Sequence, residues 1–386
     1  MASSSDSEIP FPGAELEIDL DALLRNWKKM RDAAAPALCG ATVKADAYGL
    51  GVDRVAPILW EAGCRTFFVA TPKEGVHLRG ILADAEIFVF NGAPAGTERY
   101  FHELNLVPVL NSLDEIAGWA EFSRAMGAEP CPAAIHFDTG MNRLGLSPEE
   151  TEVLIKEPAR ASFPVRLVMS HLAAADMTGH DATPEQRDLF ADRTARFIKA
   201  WLTLGLGELP RRSLANSAGV LTGEDYHFDM VRPGIGLYGA NPFVDQPNPM
   251  SNVIRLRGRV MQIRDISPPD TVGYGGTYAV TGPARIATVD VGYADGFLRA
   301  FGNERLEAVL NGHKVPIVGR VSMDSHAIDI TALPLDACTV GAMVDLLGGP
   351  VSLDDAIKAT DLSGYELLTL LGRRYNRAYK IAGEKA

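Results

Sequence analysis

The stretch that decides the fold is Val43-Lys44-Ala45-Asp46-Ala47-Tyr48-Gly49, in which a single lysine ends a short apolar run. A lysine directly after a buried strand is poorly placed as a solvated surface charge. A partly desolvated amine loses its proton more easily and becomes nucleophilic, so Lys44 suits a Schiff base. The alternative is a structural lysine that extends its ammonium group from a barrel towards water.

The same stretch opens a strand-helix unit that recurs along the chain. An apolar run at 39–43 is followed by an amphipathic pattern at 52–62 that ends at Gly63. Strands are predicted near 39–43, 66–70, 86–90, 107–110, 132–137, 165–170, 212–215 and 229–231. Eight such units over about 200 residues are typical of a (β/α)8 barrel. Because the last units are short, a doubly wound sheet stays open as an alternative.

The pattern changes after Gly239. Three prolines indicate a linker, and six short alternating segments follow before helical periodicity returns near residue 352. This pattern predicts an α/β protein whose barrel is followed by a β-rich C-terminal domain. The predicted organisation is a disordered tail at 1–13, the barrel at 14–245 and the β-rich domain at 246–386.

Composition limits the classes of partner. The 386 residues carry a formal net charge of −12, which argues against nucleic acid and anionic membranes as partners. The four cysteines are scattered, so we expect reduced core thiols and no metal site. The polar N-terminus and the lack of a run of roughly 18 apolar residues predict a cytoplasmic protein.

Polar residues follow the carboxyl ends of the predicted barrel strands. Lys44 follows strand 1, Arg143 follows strand 5, His171 follows strand 6, and Ser217 and Arg232 follow strands 7 and 8. Barrel enzymes build their sites from these strand ends, because the βα loops converge there. We therefore expect these five side chains to share one site.

The loops after strands 7 and 8 are where barrels often hold a phosphate. Gly234 and Gly236 permit close backbone approach, so that N–H groups can surround an anion. A Schiff-base lysine and a phosphate site in one barrel mouth suggest pyridoxal phosphate. Each residue has a plainer alternative: His171 as a core histidine, Arg143 as an ion pair with Asp138, and the glycines as turn residues.

The second domain contains two tyrosines flanked by glycines, in Gly273–Gly276 and Gly292–Gly296. Such a tyrosine is held in an exposed turn, as a presented functional group would be, although a turn tyrosine packed on its neighbours has the same pattern. A phenol has a reference pKa of about 10, so it is a poor base without positive neighbours.

Taken in order, these motifs resemble those of the alanine racemases, fold-type III pyridoxal-phosphate enzymes, from about Ala14 to Tyr379. The matching motifs are Val43–Gly49, Asp138–Gly145, Ser170-His171, Asn216-Ser217, Arg232–Gly239, Gly273–Gly275, Gly292–Gly296 and Gly319–Asp324. The resemblance implies interconversion of L-alanine and D-alanine in a homodimer with shared active sites, and a supply of D-alanine for peptidoglycan.

The resemblance also implies catalytic roles. Lys44 would carry the cofactor and act as one base, and Tyr274 would be the second base, reaching into the site of the partner subunit. Two bases on opposite faces of the substrate would invert its centre. Arg232 would face the pyridine nitrogen, with His171 between it and Tyr274. Arg143 would hold the cofactor's phenolic oxygen and the substrate carboxylate.

Binding roles follow from the same likeness. The implied phosphate ligands are Tyr48, Ser217, Gly234, Ile235 and Tyr365. Met323, with Asp324 beside it, would line the substrate pocket from across the dimer interface.

Two positions depart from the family pattern. Many members have a carbamylated lysine two residues before the aspartate of the Asp-Thr-Gly-Met motif, and this chain has His136 there. We expect a bound anion, a water or a neighbouring carboxylate to support Arg143 instead. The second departure is Asp46, where many members have asparagine, and we interpret it as neutral.

Three alternative functions remain. A fold-type III decarboxylase would pair the pyridine nitrogen with a carboxylate and use a Gly-Gly-Gly phosphate loop, whereas this chain offers Arg232 and no such triplet. A single-barrel pyridoxal-phosphate carrier would lack residues 245–386. A racemase for serine or a broader set of amino acids would use the same chemistry, with substrate choice set by pocket volume near Tyr365 and Met323.

Overall fold

The computed structural model describes residues 13–127 and 131–381. The chain separates into two compact units. One spans Ala22–Ser251, and the other combines the residues up to Asp21 with those from Asn252 onward. The disordered tail predicted at 1–13 lies, apart from Gly13, outside the described residues.

The first unit is a barrel of parallel strands. Seven of its strands form one sheet, in the order Ala41–Thr42, Thr66–Val69, Glu86–Val89, Leu106–Leu110, Ala133–His136, Val165–Met169 and Arg211–Ser213. The eighth strand, Met230–Val231, pairs in parallel with Leu38–Cys39 at the start of the ring. On its other side, the N–H of Asp229 donates to the carbonyl of Arg212 at 3.1 Å. This closure confirms the (β/α)8 prediction over the doubly wound sheet.

The barrel interior is filled by apolar side chains. Phe68, Phe88, Val109, Leu167 and Met230 belong to one buried cluster. The rings of Phe68 and Phe88 stack at 5.1 Å. Because the interior is packed, a ligand has room only at the strand ends.

Helices connect the barrel strands. They are Val52–Glu61, Pro72–Ile81, Glu98–Glu103, Leu113–Met126, Pro148–Lys156, Ala182–Thr203 and Ser217–Thr222, with Leu20–Ala34 ahead of the barrel. Within residues 13–127 and 131–381, no helix combines the length and apolar character needed to cross a membrane.

The second unit is β-rich, as predicted. Its eight-stranded sheet has the order Ala284–Val289, His326–Asp329, His313–Val318, Glu307–Leu310, Met343–Gly348, Ile254–Ile266, Glu15–Asp19 and Asn376–Lys380. The first strand in that order also pairs with Ile254–Ile266, which curls the sheet on itself. The short ribbon Thr271–Val272 with Tyr278–Ala279 and the helices Leu353–Lys358 and Gly364–Leu370 complete the unit.

One strand lies apart from its sequence-based assignment. The prediction put residues 14–245 in the barrel, but Glu15–Asp19 pairs antiparallel with Ile254–Ile266 and parallel with Asn376–Lys380. Leu16 and Ile18 are fully buried there. Two alternating apolar residues are too short a pattern to reveal a strand whose partners lie more than 200 residues away.

Candidate active site

Lys44 stands at the end of the first barrel strand, directly before an unusual turn. The four residues from Ala45 to Tyr48 all have φ between 53° and 56°, so they form one left-handed turn. For a residue with a Cβ, this left-handed conformation is less stable than the right-handed one by roughly 1–2 kcal/mol. Backbone strain of this kind persists only where the surroundings impose it, which is often at functional sites.

Hydrogen bonds hold the left-handed turn. The N–H of Gly49 donates to the carbonyl of Ala45 at 2.8 Å. The N–H of Val52 donates to Oδ1 of Asp46 at 2.8 Å. An asparagine could accept the same bond through its own Oδ1, in agreement with Asp46 as a neutral variation.

The environment of Lys44 favours its neutral amine. Burial and then the guanidinium of Arg143 lower the pKa of Lys44, while Glu74 acts in the opposite direction. Nζ of Lys44 lies 5.9 Å from the ring centre of Phe90. A lysine extended into water would have an ordinary pKa, so this environment favours the nucleophilic interpretation.

Four of the five predicted phosphate ligands, all but Tyr365, lie at the neighbouring strand ends of the barrel. Oγ of Ser217 accepts the N–H of Gly234 at 2.9 Å and that of Gly236 at 3.2 Å. A Cβ added to Gly234 would lie 2.3 Å from the hydroxyl of Tyr48. Ile235 follows in the same turn and is buried. The turn therefore requires glycine for a close approach between backbone and phenol.

Tyr48 is held rigidly at this point. Its ring stacks on Tyr238 with centroids 4.5 Å apart. The hydroxyl of Tyr238 in turn donates to the carbonyl of Thr42 at 2.8 Å. Aromatic stacking and a buried hydrogen bond thus fix the position of the Tyr48 phenol.

Arg232 is buried without an acidic partner. Its guanidinium donates to Oγ of Ser213 and to the carbonyls of Ser170 and Leu214. No carboxylate among the described residues accepts from it. Burial lowers the pKa of Arg232 to about 9. Because, in the part of the chain that the structure describes, only neutral groups accept hydrogen bonds from this guanidinium, no negative charge offsets its positive charge, which can therefore act on a ligand.

Two histidines stand among these cations as neutral rings. Burial and then Arg232 lower the pKa of His171, and the same two causes lower the pKa of His136 to about 4. Arg143 and Lys44 also act on His171. The barrel mouth is therefore electropositive, which suits an anionic ligand.

Asp138 does not form the ion pair with Arg143 that was considered from the sequence. Its carboxylate accepts the N–H groups of Gly140, Met141 and Asn142 at 2.9–3.0 Å. Arg143 is exposed. Within residues 13–127 and 131–381 no carboxylate pairs with it. The structure thus gives no support to a neighbouring carboxylate beside Arg143, and a bound anion or water stays a prediction.

His136 is fixed by an amide. Its Nδ1 lies 2.9 Å from Oδ1 of Asn111. The amide nitrogen of Asn111 donates to the carbonyls of Phe90 and Val109, so its oxygen is the acceptor towards the ring. His136 therefore carries its proton on Nδ1, and Nε2 is left as an acceptor.

The remaining predicted residues belong to the β-rich unit. Tyr274 lies in the short turn Tyr274–Gly276 and is 71% exposed, Met323 is 53% exposed and Tyr365 is 45% exposed. The structure brings the barrel residues together within one unit, and these three lie in the other.

The segment that carries Met323 is tied to neighbouring loops of the β-rich unit. The carbonyl of Met323 accepts the N–H of Ala294 at 2.9 Å. Arg374 joins the carboxylates of Asp295, at 3.0 Å, and Asp324, at 2.7 Å. Asp324 thus has a structural ion pair beside the residue predicted to line the pocket.

Sequence reasoning missed several residues that shape the barrel mouth. They are Glu74, Asn111 and Ser213. Glu74 had a visible signal, because Thr71-Pro72-Lys73-Glu74 directly after a strand is a capping-box pattern. Asn111 and Ser213 reach the site only because the folded chain brings them next to His136 and Arg232. No local sequence pattern indicates either residue.

The comparisons agree with this architecture. The family model described as "Alanine racemase, N-terminal domain" matches residues 18–242, and "Alanine racemase, C-terminal domain" matches residues 253–379. The chain belongs to the alanine racemase family. The resemblance seen in the sequence is confirmed.

Individual relatives are similar over nearly the whole chain. An alanine racemase from Rhodospirillum rubrum is 47% identical over 369 residues, 95% of this chain and 96% of that protein. One from Methylobacterium sp. (strain 4-46) is 46% identical over 95% and 98%. The crystal structure of alanine racemase from Bartonella henselae with covalently bound pyridoxal phosphate has a TM-score of 0.87. It is 36% identical and covers 95% of this chain and 99% of that one.

Proposed function

We propose that this protein is a pyridoxal-phosphate-dependent racemase that interconverts L-alanine and D-alanine. One observation carries the proposal. Lys44, whose pKa is lowered, shares an electropositive barrel mouth with a glycine turn that has no room for a Cβ. The relatives named alanine racemase, and the Bartonella henselae structure with its bound cofactor, support the same reading.

The donor set fits pyridoxal phosphate. The phosphate would be bound by N–H and O–H donors, namely those of Tyr48, Ser217, Gly234, Ile235 and Tyr365. Lys44 would hold the aldehyde carbon covalently through Nζ. The Gly234 N–H donates to Ser217 in this structure. Ser217 and this N–H would both turn to the phosphate when it binds.

Arg232 would face the ring nitrogen. Its other donors are already used by Ser213, Ser170 and Leu214, so it is oriented before any ligand arrives. A guanidinium gives up no proton at physiological pH, so it would leave the ring nitrogen unprotonated. A decarboxylase of this fold type would need a carboxylate at that place.

Bound pyridoxal phosphate supplies the electron sink that makes the α proton of an amino acid acidic. Lys44 Nζ would take or return that proton on one face. Tyr274 of the partner subunit would do so on the other, which inverts the centre. Neutral His171 would lie between Tyr274 and Arg232, while Arg143 would hold the cofactor's phenolic oxygen and the substrate carboxylate.

The remaining parts of the proposal concern assembly and context. Met323 would line the pocket from across a homodimer interface and favour a small side chain by sterics. We expect a cytoplasmic enzyme that supplies D-alanine for peptidoglycan. Serine or a broader set of amino acids is the alternative substrate class.

The test is formation of D-alanine from L-alanine by the purified protein, with the visible absorbance of the bound cofactor recorded in parallel. We expect turnover together with a visible band, and loss of both in Lys44→Ala. A band with turnover of serine but not alanine would replace the substrate. Absence of a band after pyridoxal phosphate is added would overturn the proposal.

A further inference from the structure

We propose that Glu74 is a positioning residue for Lys44, which holds the peptide after the lysine and places a compensating negative charge beside its amine. The inference rests on the role proposed above for Lys44. Glu74 lies in the third position of the helix Pro72–Ile81, at the end of the second barrel strand.

One carboxylate joins two strand ends. Oε1 of Glu74 accepts the N–H of Ala45 at 2.8 Å. Oε2 accepts the N–H groups of Ala70 at 2.7 Å and Thr71 at 3.1 Å. Hydrogen bonds to an ionised oxygen are about twice as strong as those between neutral groups. Glu74 therefore ties the segment after strand 1 to the segment after strand 2.

The bond to Ala45 acts on the backbone of the lysine itself. This N–H belongs to the peptide that joins Lys44 to Ala45, so fixing it fixes the rotation of the backbone at Lys44. Ala45 is also the first of the four left-handed residues that end at Tyr48. A turn that is intrinsically unfavourable needs external bonds to stay formed. Without Glu74 the backbone at Lys44 and the start of the turn would lose this restraint, while the Tyr48 ring would keep its stacking on Tyr238.

The charge of Glu74 has a second effect. Arg143 lowers the pKa of Lys44 and Glu74 raises it. Removal of the carboxylate would leave the amine with burial and Arg143 alone. Because Glu74 is half-buried, solvent screens part of this effect, so we expect a modest change.

Glu150 provides a matched control within the same barrel. It also closes a capping box, with Ser147, and its Oε2 accepts the N–H of Ser147 at 2.9 Å. Its Oε1 reaches across to the N–H of Leu113 at 3.0 Å. The two glutamates therefore make the same kind of bond between neighbouring loops, but the peptide that Glu150 holds does not follow a site lysine.

The experiment uses the full-length protein with Glu74→Gln, Glu74→Asp and Glu150→Gln, after removal of the cofactor. The first readout is the pH dependence of Lys44 labelling by an amine-selective reagent, followed on the Lys44 peptide by mass spectrometry. The second is the affinity for added pyridoxal phosphate. Thermal unfolding measures how much stability each variant loses with its helix cap.

We expect Glu74→Gln to lower the pH midpoint of Lys44 labelling and to weaken cofactor binding about tenfold. Glu74→Asp keeps the charge but is too short to reach both strand ends. It should retain the midpoint and still bind the cofactor more weakly. Glu150→Gln should lose a similar amount of thermal stability with both site readouts unchanged.

Equal effects of Glu74→Gln and Glu150→Gln on both readouts would show that Glu74 is only a helix cap, and would overturn the inference. Failure of the proposed function can be distinguished from failure of the Glu74 inference by the Lys44→Ala variant. In that case Lys44→Ala would bind pyridoxal phosphate as the unaltered protein does, whatever Glu74 does. If Glu74→Gln does not fold, Glu74→Asp still tests whether reach matters.

Discussion

The barrel part and the β-rich part of the predicted site are built differently. In the barrel, Ser217 and Arg232 are 2% and 3% exposed, and each is held by hydrogen bonds within the same unit. In the β-rich unit, Tyr274 and Met323 are 71% and 53% exposed. Ser217 and Arg232 are preorganised by their own unit, whereas Tyr274 and Met323 are presented on a surface.

The difference has a physical cause. A cofactor with a phosphate and a ring nitrogen needs donors fixed in advance, because ordering them on binding would reduce affinity. A catalytic tyrosine on an exposed glycine turn becomes part of a site only when another surface covers it. This agrees with the proposal that Tyr274 acts across a dimer interface.

The largest expected effect is the loss of racemisation, and the two regions should differ in whether the visible cofactor band is lost with it. Lys44→Ala should reduce racemisation by at least about 10^4-fold and remove the visible cofactor band. Tyr274→Phe should reduce it about 10^3-fold and keep the band, because the tyrosine moves a proton but does not hold the cofactor. Spectra and alanine turnover of both variants check this. Loss of the band in Tyr274→Phe would contradict the division.

A second comparison concerns the two glycines, Gly234 and Gly236, of the turn after the last barrel strand. Gly234→Ala should weaken cofactor binding by about 10- to 100-fold, because its Cβ would lie 2.3 Å from the Tyr48 hydroxyl, which stacking holds in place. Gly236→Ala would meet the flexible end of Met30 at 2.4 Å and should weaken binding less. Titration with pyridoxal phosphate measures both, and an equal loss would rule out the rigid role of Tyr48.

The smallest expected effect concerns acid stability in the β-rich unit. Burial lowers the pKa of His326 to about 4, against an unfolded value of about 6.5. Its neutral form therefore stabilises the fold above about pH 6.5, and this stability is lost as the pH falls towards 4. The loss between pH 7 and pH 5 should be about 2 kcal/mol.

His326→Leu removes this titration. Denaturant unfolding at pH 7 and pH 5 should show a smaller acid loss in the variant, even though it also loses the bond from Nδ1 to the Val291 carbonyl. His136, whose pKa burial likewise lowers to about 4, provides the same comparison in the barrel. An unchanged acid loss after the same substitution at either position would show that neither histidine governs acid stability.

Much of the fold could be predicted from the sequence, because the apolar strands and amphipathic helices of the barrel are local patterns. The residues at the strand ends followed from that pattern, since Lys44, His171 and Arg232 each come within two residues of the end of a buried strand. Glu15–Asp19 could not be placed, because its partners Ile254–Ile266 and Asn376–Lys380 are distant in sequence.

The conformations that position the site were also hidden. Neither alanine nor tyrosine favours positive φ, so three of the four residues in Ala45-Asp46-Ala47-Tyr48 give no indication of a left-handed turn. Asn111 reaches His136 only because two neighbouring strands place them side by side. Such contacts depend on the register between strands, which cannot be inferred from a single sequence.

The most direct test of the two-region account mixes inactive Lys44→Ala chains with inactive Tyr274→Phe chains under conditions of subunit exchange. In a symmetric dimer with shared sites, each mixed dimer regains one intact site, so random exchange should restore about a quarter of the unaltered activity. Differently tagged chains allow the mixed dimers to be isolated. If the isolated mixed dimers racemise alanine no faster than the parents, Tyr274 does not complete the barrel site of a partner.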